Sequence, residues 1–159
     1  MNKRLIIHAE KCNGCGICEL VCALSHSKQW HPSLSCIKIT ADEERHLYFP
    51  TVCAQCIEPL CSTACLMNVI QKDVETGLTV RDELSCIGCR ACETTCPFSG
   101  CTYDYIDGKV VNCNLCQGDP VCVKYCPNGA LEFASIEGAA AFKRHDSARY
   151  RLIEIFPEG

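Results

Sequence analysis

The residues best suited to chemistry in this chain are its cysteines, and one run of them is dense. Cys86-Ile-Gly-Cys89-Arg-Ala-Cys92-Glu-Thr-Thr-Cys96-Pro97 places three thiols within seven residues and a fourth one helical turn later. A [4Fe–4S] cluster has four irons that each take one thiolate, and the spacing C-x₂-C-x₂-C-x₃-C-P is a known way to supply them. The run therefore predicts an iron–sulfur site in which Cys86, Cys89 and Cys92 bind one cluster.

Three further motifs repeat this theme, and we number the four motifs in chain order. In motifs one and three, which we call compact, two residues separate the second and third cysteines. In motifs two and four, which we call expanded, this segment is longer and contains Pro59 and Pro120, respectively. The motif cysteines are Cys12, Cys15, Cys18 and Cys22 in motif one; Cys53, Cys56, Cys61 and Cys65 in motif two; Cys86, Cys89, Cys92 and Cys96 in motif three; and Cys113, Cys116, Cys122 and Cys126 in motif four.

Two cysteines, Cys36 and Cys101, lie outside the motifs, and we interpret them as small buried core residues. The remaining sixteen of the 18 cysteines form four complete sets of four. We therefore expect four [4Fe–4S] clusters, although counting alone leaves open a [3Fe–4S] site. Structural zinc is an alternative, but zinc-binding C-x₂-C pairs are separated by longer spacers. Disulfides are the other alternative, and they depend on an oxidising compartment.

The composition agrees with a chain that is built around bound clusters. Cysteine makes up about 11% of the 159 residues, above the roughly 8–10% that marks a cysteine-framed chain. The hydrophobic fraction is 48%, and without cysteine it falls to about 37%, below the roughly 45–50% that is typical. We therefore expect groups bound to the thiols to replace part of an ordinary core.

The N-terminal sequence and the charge bear on compartment and partners. Residues 1–10 contain a three-residue apolar run, too short for a secretory signal, and no stretch approaches 18 apolar residues, so we expect no membrane span. We interpret the chain as cytoplasmic with reduced thiols, with export on a partner's signal as the exception. The formal net charge is −4, and four oxidised clusters would bring it to about −12. This charge argues against nucleic acid, whose phosphates demand a basic surface.

Short extended segments and small helices position the motifs. We predict strands at residues 4–8, 36–40, 47–49, 69–71, 78–80, 102–106, 109–111 and 130–133. Glu75-Thr-Gly77 and Asp107-Gly108 predict two hairpins. Helices are predicted at residues 18–24 and 90–96, and a basic helix at 138–152. The expected fold class is α+β, with short helices, hairpins and many loops, in a single iron–sulfur domain that spans residues 1–159.

Other residues add little chemistry. Gly14 and Gly88 permit unusual backbone dihedrals and let N–H groups approach the sulfurs. The five histidines show no ligand spacing to one another, and we interpret them as surface or packing residues. No nucleophile–base pair or glycine-rich nucleotide loop stands out, so we predict no catalytic residue and assign substrate chemistry to another chain.

Together, the motifs resemble the four-cluster, ferredoxin-type subunits of dimethyl sulfoxide reductase, formate dehydrogenase, hydrogenase and tungsten or molybdenum aldehyde oxidoreductase complexes. The resemblance covers roughly residues 4–134. It rests on Cys53-x₂-Cys56-x-Glu-Pro-x-Cys61-x₃-Cys65, on Cys86-Ile-Gly-Cys89-Arg-x-Cys92-x₃-Cys96-Pro-Phe98 and on Gly108-Lys-Val-x₂-Cys113-x-Leu-Cys116. It implies two nested ferredoxin-like modules: an inner half (about residues 50–99) and an outer half (about 1–49 plus 100–134), followed by a C-terminal helix and tail (135–159).

The resemblance further implies that each motif lends its fourth cysteine to a cluster held mainly by another motif. Four ligand sets follow from it. Set 1 is Cys12, Cys15, Cys18 and Cys126; set 2 is Cys113, Cys116, Cys122 and Cys22; set 3 is Cys53, Cys56, Cys61 and Cys96; set 4 is Cys86, Cys89, Cys92 and Cys65. Four clusters in a row would conduct single electrons. Ala23 and Leu66 depart from the family, which often has proline after the fourth cysteine, and we expect the backbone to differ at both places.

The resemblance implies an electron-transfer subunit that is not catalytic alone. It would relay electrons between a large catalytic oxidoreductase subunit and a further redox protein. The small size resembles subunits paired with tungsten aldehyde oxidoreductase-type enzymes, including the tungsten benzoyl-CoA reductase group. The alternatives are a free soluble polyferredoxin, a hydrogenase or formate dehydrogenase subunit, and a zinc-stabilised interaction module.

Overall fold

The computed structural model describes residues 3–138 and 140. This part of the chain forms short elements joined by loops that contain the cysteines. The strands are β1 (Lys3–Ile7), β2 (Ile37–Asp42), β3 (Leu47–Val52), β4 (Ile70–Lys72), β5 (Thr79–Arg81), β6 (Cys101–Asp104), β7 (Lys109–Asn112) and β8 (Leu131–Ser135). The helices are α1 (Ile17–Ser27), α2 (Leu60–Thr63), α3 (Ala91–Thr95) and α4 (Val121–Lys124).

The strands form four antiparallel pairs, β1–β8, β2–β3, β4–β5 and β6–β7. The predicted α+β class and both predicted hairpins are therefore confirmed. The first strand of the second hairpin ends at Asp104, two residues earlier than predicted. Asp104 Oδ1 accepts hydrogen bonds from the N–H groups of Ile106 and Asp107, and the turn begins there. The β1–β8 pairing joins residues from opposite ends of the described chain, from Lys3 opposite Ser135 to Ile7 opposite Leu131.

The two compact motifs share one loop conformation. Gly14 and Gly88 have φ of +73° and +67°, as predicted for glycines in unusual dihedrals. The residue that precedes each helix is also left-handed, Gly16 before α1 and Arg90 before α3. The same turn therefore presents Cys12 and Cys15 ahead of α1, and Cys86 and Cys89 ahead of α3.

The helices that follow these loops differ in length. α3 has five residues and ends before Cys96 and Pro97. α1 has 11 residues and continues through Cys22 to Ser27, beyond the predicted end at Leu24. Proline cannot continue a helix, whereas alanine is the best helix former. Ala23 therefore allows α1 to continue, and the expected backbone difference at this position is confirmed.

The two expanded motifs also share a conformation. Pro59 and Pro120 precede α2 and α4, and each helix has four residues. A turn then follows in which the N–H of Asn68 donates to Cys65 O and the N–H of Gly129 donates to Cys126 O. Leu66 therefore occupies the same kind of turn as Pro127. The prediction that the backbone differs at Leu66 is wrong.

Cysteines supply much of the buried interior. The larger core cluster has ten buried members, of which five are Cys18, Cys22, Cys36, Cys113 and Cys122. The smaller cluster contains Cys92 and Cys101 together with Val69, Ile70 and Val110. In the described residues, cysteine side chains thus fill positions that aliphatic residues occupy in an ordinary core.

The predicted helix at 138–152 and the C-terminal tail lie almost wholly outside the described residues. Within the described part of the chain, every helix is too short or too polar to cross a bilayer.

Candidate iron–sulfur centres

The structure gathers set 1 around one cavity. Its walls include Cys12, Cys15 and Cys18, from the motif-one loop and the start of α1, together with Cys126 and Pro127 from motif four. α1 packs against α4, and the β1–β8 pair places the two ends of the described part of the chain side by side. Four sulfurs from distant segments therefore line one small space.

Sets 3 and 4 are gathered in the same way. One cavity is lined by all four cysteines of set 4, with Cys65 from motif two beside three cysteines of motif three. A second cavity is lined by all four cysteines of set 3, with Cys96 from motif three beside motif two. α2 packs against α3, which brings these two motifs together.

The electrostatic interactions among the cysteines of set 2 show that these four residues lie close together. Burial raises the pKa of Cys113, and the negative charges of Cys22 and Cys122 add to that effect. Burial also raises the pKa of Cys122 to about 12, with added contributions from Cys22 and Cys116. Cys22, in the middle of α1, thus lies near the three motif-four cysteines of set 2, Cys113, Cys116 and Cys122.

The four sets follow one another in space. Cys18 of set 1 is among the charges that raise the pKa of Cys122 in set 2. Cys53 of set 3 acts on the pKa of Cys113 in set 2 in the same way. Sets 3 and 4 meet at the thiol of Cys101, which hydrogen-bonds to both Cys61 and Cys92. The order is therefore set 1, set 2, set 3, set 4.

Backbone N–H groups donate to several of these sulfurs. The donors are Gly100 to Cys96 Sγ at 3.3 Å, Ala130 to Cys126 Sγ at 3.2 Å and Leu115 to Cys113 Sγ at 3.4 Å. Donors aimed at sulfur stabilise thiolates and tune the potential of a bound cluster. In the first two bonds, the donor lies four residues after a cysteine that is followed by proline. The turn at the end of motif three therefore recurs at the end of motif four.

Cys36 and Cys101 are buried, as predicted, but they are more than packing residues. A hydrogen bond from Cys36 lowers the pKa of Cys22 to about 5. Hydrogen bonds from Cys101 lower the pKa of Cys61 to about 6 and that of Cys92 to about 5. Each of the two extra thiols therefore stabilises motif thiolates, a role that the sequence did not indicate.

His26 is a third residue whose contact with the motif thiols was not predicted from the sequence. It lies one turn after Cys22 on α1, and the ligand atoms of His26, Cys22 and Cys36 are all within 4.8 Å of one another. A hydrogen bond with Cys116 raises the pKa of His26 and lowers that of Cys116. The spacing of Cys22 and His26, four residues apart on a helix, was the available signal.

A buried polar network joins motifs two and four. Gln55, in the left-handed conformation with φ of 54°, donates to Cys113 O and accepts from the N–H of Thr79 at 2.7 Å. Asn112 Nδ2 donates to Thr79 O at 2.9 Å. Lys72 Nζ donates to the carbonyls of Gln55 and Cys56 at 3.0 and 2.6 Å. The network fixes the loop of set 3 against the start of set 2.

The donor chemistry fits iron–sulfur clusters. Each of the three cavities is lined by four motif cysteines, whose sulfurs are the soft ligands that such clusters take. Cys101, which belongs to no motif, also lines the cavity of set 3. The motif cysteines in each cavity come from two motifs, three from one and the fourth from another.

Known proteins agree with this assignment. The sequence model described as "4Fe-4S dicluster domain" matches residues 44–136. The polyferredoxin-like subunit of the aliphatic sulfonate oxidoreductase of Pyrococcus furiosus is 36% identical over 122 residues, which are 77% of this chain and 70% of that subunit. The beta subunit of the NADH-dependent phenylglyoxylate dehydrogenase of Aromatoleum evansii is 35% identical over 127 residues, 77% of this chain but only 28% of that subunit.

Among solved structures, the active-site complex BamBC of benzoyl coenzyme A reductase, as isolated, contains a similar fold. The TM-score is 0.50 at 24% identity, over 97% of this chain and 90% of that one. Fold and thiols together define an iron–sulfur protein of the ferredoxin type. Because the family match covers more than half of its length, this chain belongs to the 4Fe–4S dicluster domain family.

Proposed function

We propose that this chain is the electron-transfer subunit of an oxidoreductase complex and that sets 1 to 4 each hold one [4Fe–4S] cluster. Each cluster would supply one-electron chemistry. The observation that carries the proposal is the spatial order of the four thiol sets, three of which surround a cavity. A row of adjacent one-electron centres relays electrons and needs no substrate site of its own.

The protein's own residues would hold the clusters and control their surroundings. Cysteine sulfurs bind the irons, while the N–H groups of Leu115, Gly100 and Ala130 donate to sulfur and stabilise negative charge there. Buried Ile70, Leu115 and Leu131 exclude water from the two cores. These groups set the potentials, while the conversion of substrate would take place on a catalytic partner.

The two ends of the row are the places where electrons would enter and leave. Among the sixteen motif cysteines, Cys15 in set 1 and Cys89 in set 4 are the exposed ones. These residues belong to the two terminal sets. Exposure at the ends, with the middle sets less accessible, supports transfer along the row from one partner to another.

The rims of the two terminal cavities differ. Beside set 4, Met67 and Ile87 line the cavity and are 48% and 61% exposed. Beside set 1, the rim includes Lys11, Asn13 and Asn128. Lasting interfaces are more apolar than transient ones. We therefore place the permanent catalytic subunit at the set-4 end and the exchanging redox protein at the set-1 end.

A large pterin enzyme that contains tungsten or molybdenum is the catalytic partner we favour, in the cytoplasm. The similarity to a polyferredoxin-like subunit of an oxidoreductase supports a partner of the oxidoreductase class. The metal and the pterin are the more specific part of the proposal. The resemblance in motif pattern and size to subunits of such enzymes supports them.

Anaerobic purification at native expression levels tests this function. We expect a large pterin-containing chain to co-purify with this protein and to reduce its clusters when its substrate is added. The substitution Ile87→Glu should weaken the association, whereas Val74→Glu, at an exposed apolar residue that lines none of the three cavities, should not. A stable monomer without a partner, which exchanges electrons with several proteins in a strongly salt-dependent way, would instead establish a free polyferredoxin.

A further inference from the structure

Arg81 is a half-buried cation at the end of β5 whose side chain contacts cysteine sulfurs. Its Nη1 and Nη2 atoms each lie 3.5 Å from Cys92 Sγ, and Nη2 lies 4.0 Å from Cys101 Sγ. Cys92 belongs to set 4, and Cys101 is the thiol that joins sets 3 and 4. The guanidinium therefore lies at the junction of set 3 and set 4.

The position of this guanidinium is fixed by a second contact. Arg81 Nε donates to Asn112 Oδ1 at 3.3 Å. The amide of Asn112 is itself held, because its Nδ2 donates to Thr79 O and to Cys113 O at 2.9 and 3.4 Å. The guanidinium is planar and presents its donors in a rigid fork. Once Nε is bound to Asn112, the two terminal nitrogens are directed at Cys92.

No other lysine or arginine within residues 3–138 and 140 donates to a cysteine sulfur. Arg90 is the nearest comparison, because it also lines the set-4 cavity. Its Nε donates to Glu93 at 2.7 Å, and its guanidinium lies 4.9 Å from the centre of the Tyr103 ring. Arg90 is exposed, so water screens its charge, whereas the charge of Arg81 acts in a less polar environment.

We propose that Arg81 is a positioning residue that raises the reduction potential of the cluster held by set 4. This inference rests on the proposed function, since it requires a cluster at that site. One-electron reduction, by a redox partner or by dithionite, adds one negative charge to the site and breaks no bond. A cation that donates two hydrogen bonds to a ligand sulfur stabilises the more negative, reduced form. Electrons are thereby held at the set-4 end of the row.

The test is a redox titration of the intact, anaerobically purified protein, followed by electron paramagnetic resonance. The set-4 signal is identified as the one that changes in Cys89→Ser. In Arg81→Gln we expect the equilibrium constant for reducing this cluster to fall about tenfold, which is about 59 mV for one electron. Arg81→Lys keeps the charge but not the fork and should give a smaller fall. The matched control Arg90→Gln removes the same charge and should change the constant less than about threefold.

Iron analysis separates this inference from the proposed function. Wild-type protein with far fewer than about sixteen irons would refute the proposed function, whatever the variants do. With iron retained, an unchanged set-4 potential in Arg81→Gln, or an equal shift in Arg90→Gln, would overturn the role of Arg81. If Arg81→Gln loses iron, Arg81→Lys decides: a lowered potential supports the role, and a wild-type potential refutes it.

Discussion

The compact motifs of the outer and inner halves begin alike and end differently. In both, a left-handed glycine and a left-handed residue before the helix present the first two cysteines. After the fourth cysteine, Ala23 continues α1 in the outer half, whereas Pro97 follows the end of α3 in the inner half. A cysteine within a helix and a cysteine after a helix can thus both reach the neighbouring set.

The longer α1 changes the surroundings of the outer sets. Its last turns carry His26 to Cys116, so an imidazole lies beside set 2. In the inner half, the corresponding helix is too short to carry such a residue, and Arg81 reaches Cys92 from a strand instead. Similar loops therefore hold thiols in different electrostatic environments, and substitutions in the two halves should differ in their effects.

The largest effect is expected from removing a fourth cysteine. Cys96→Ala should abolish the set-3 cluster and leave set 4 intact, because Cys96 lines the cavity of motif two. Iron should fall from about sixteen to about twelve per chain. The spectrum should match that of Cys56→Ala and differ from that of Cys89→Ala. Cys101→Ala, which removes a thiol that belongs to no set, should keep all the iron. A spectrum like that of Cys89→Ala would show that Cys96 serves its own motif.

The next effect concerns the residue after the fourth cysteine. Ala23→Pro should destabilise the protein by about 3 kcal/mol, because proline breaks a helix interior. Leu66→Pro should be neutral or stabilise by about 0.5 kcal/mol, since its turn matches that of Pro127. Anaerobic denaturant unfolding measures both, and equal destabilisation by the two prolines would contradict the comparison.

Substitution by alanine should destabilise the protein more at Gly88 than at Gly14, although both glycines have positive φ. A Cβ at Gly88 would lie 2.1 Å from the carbonyl oxygen of Gly108, whereas one at Gly14 would meet the Tyr48 ring at 2.4 Å. A side chain moves more easily than backbone, so Gly88→Ala should cost at least about 2 kcal/mol and Gly14→Ala less. Unfolding of the single variants checks the order, and Tyr48→Ala should lessen the cost of Gly14→Ala.

The smallest of these effects concerns the expanded motifs. Gln55 in motif two and Leu115 in motif four occupy matching places, both buried and both with φ of 54°. Gln55→Leu should still destabilise by about 2 kcal/mol, because Cys113 O and the N–H of Thr79 lose their partner. Gln55→Glu retains an oxygen that accepts the hydrogen bond from the N–H of Thr79. It is therefore the matched control for the loss of that bond in Gln55→Leu. Unfolding of Gln55→Leu at wild-type stability would show that the network is dispensable.

The sequence predicted the features that depend on nearby residues. Motif spacing, the hairpins at Gly77 and Gly108 and the left-handed glycines follow from local rules, and the structure has them. The pairing of β1 with β8 was not predicted, since neither strand carries a signal for a partner so distant in sequence. The contact of Arg81 with Cys92 was not predicted either, since it depends on tertiary packing, in which Asn112 of another hairpin accepts a hydrogen bond from the guanidinium. Cys36 and Cys101 were correctly predicted as buried, but their bonds to motif thiols depend on tertiary packing.

The proposed function requires that the four thiol sets hold four clusters in a row. The most direct measurement is the iron and acid-labile sulfide content of the anaerobically purified protein. We expect about sixteen of each per chain, with spin–spin interaction between reduced clusters in the paramagnetic resonance spectrum. A colourless protein that contains zinc, or about eight irons per chain, would contradict it.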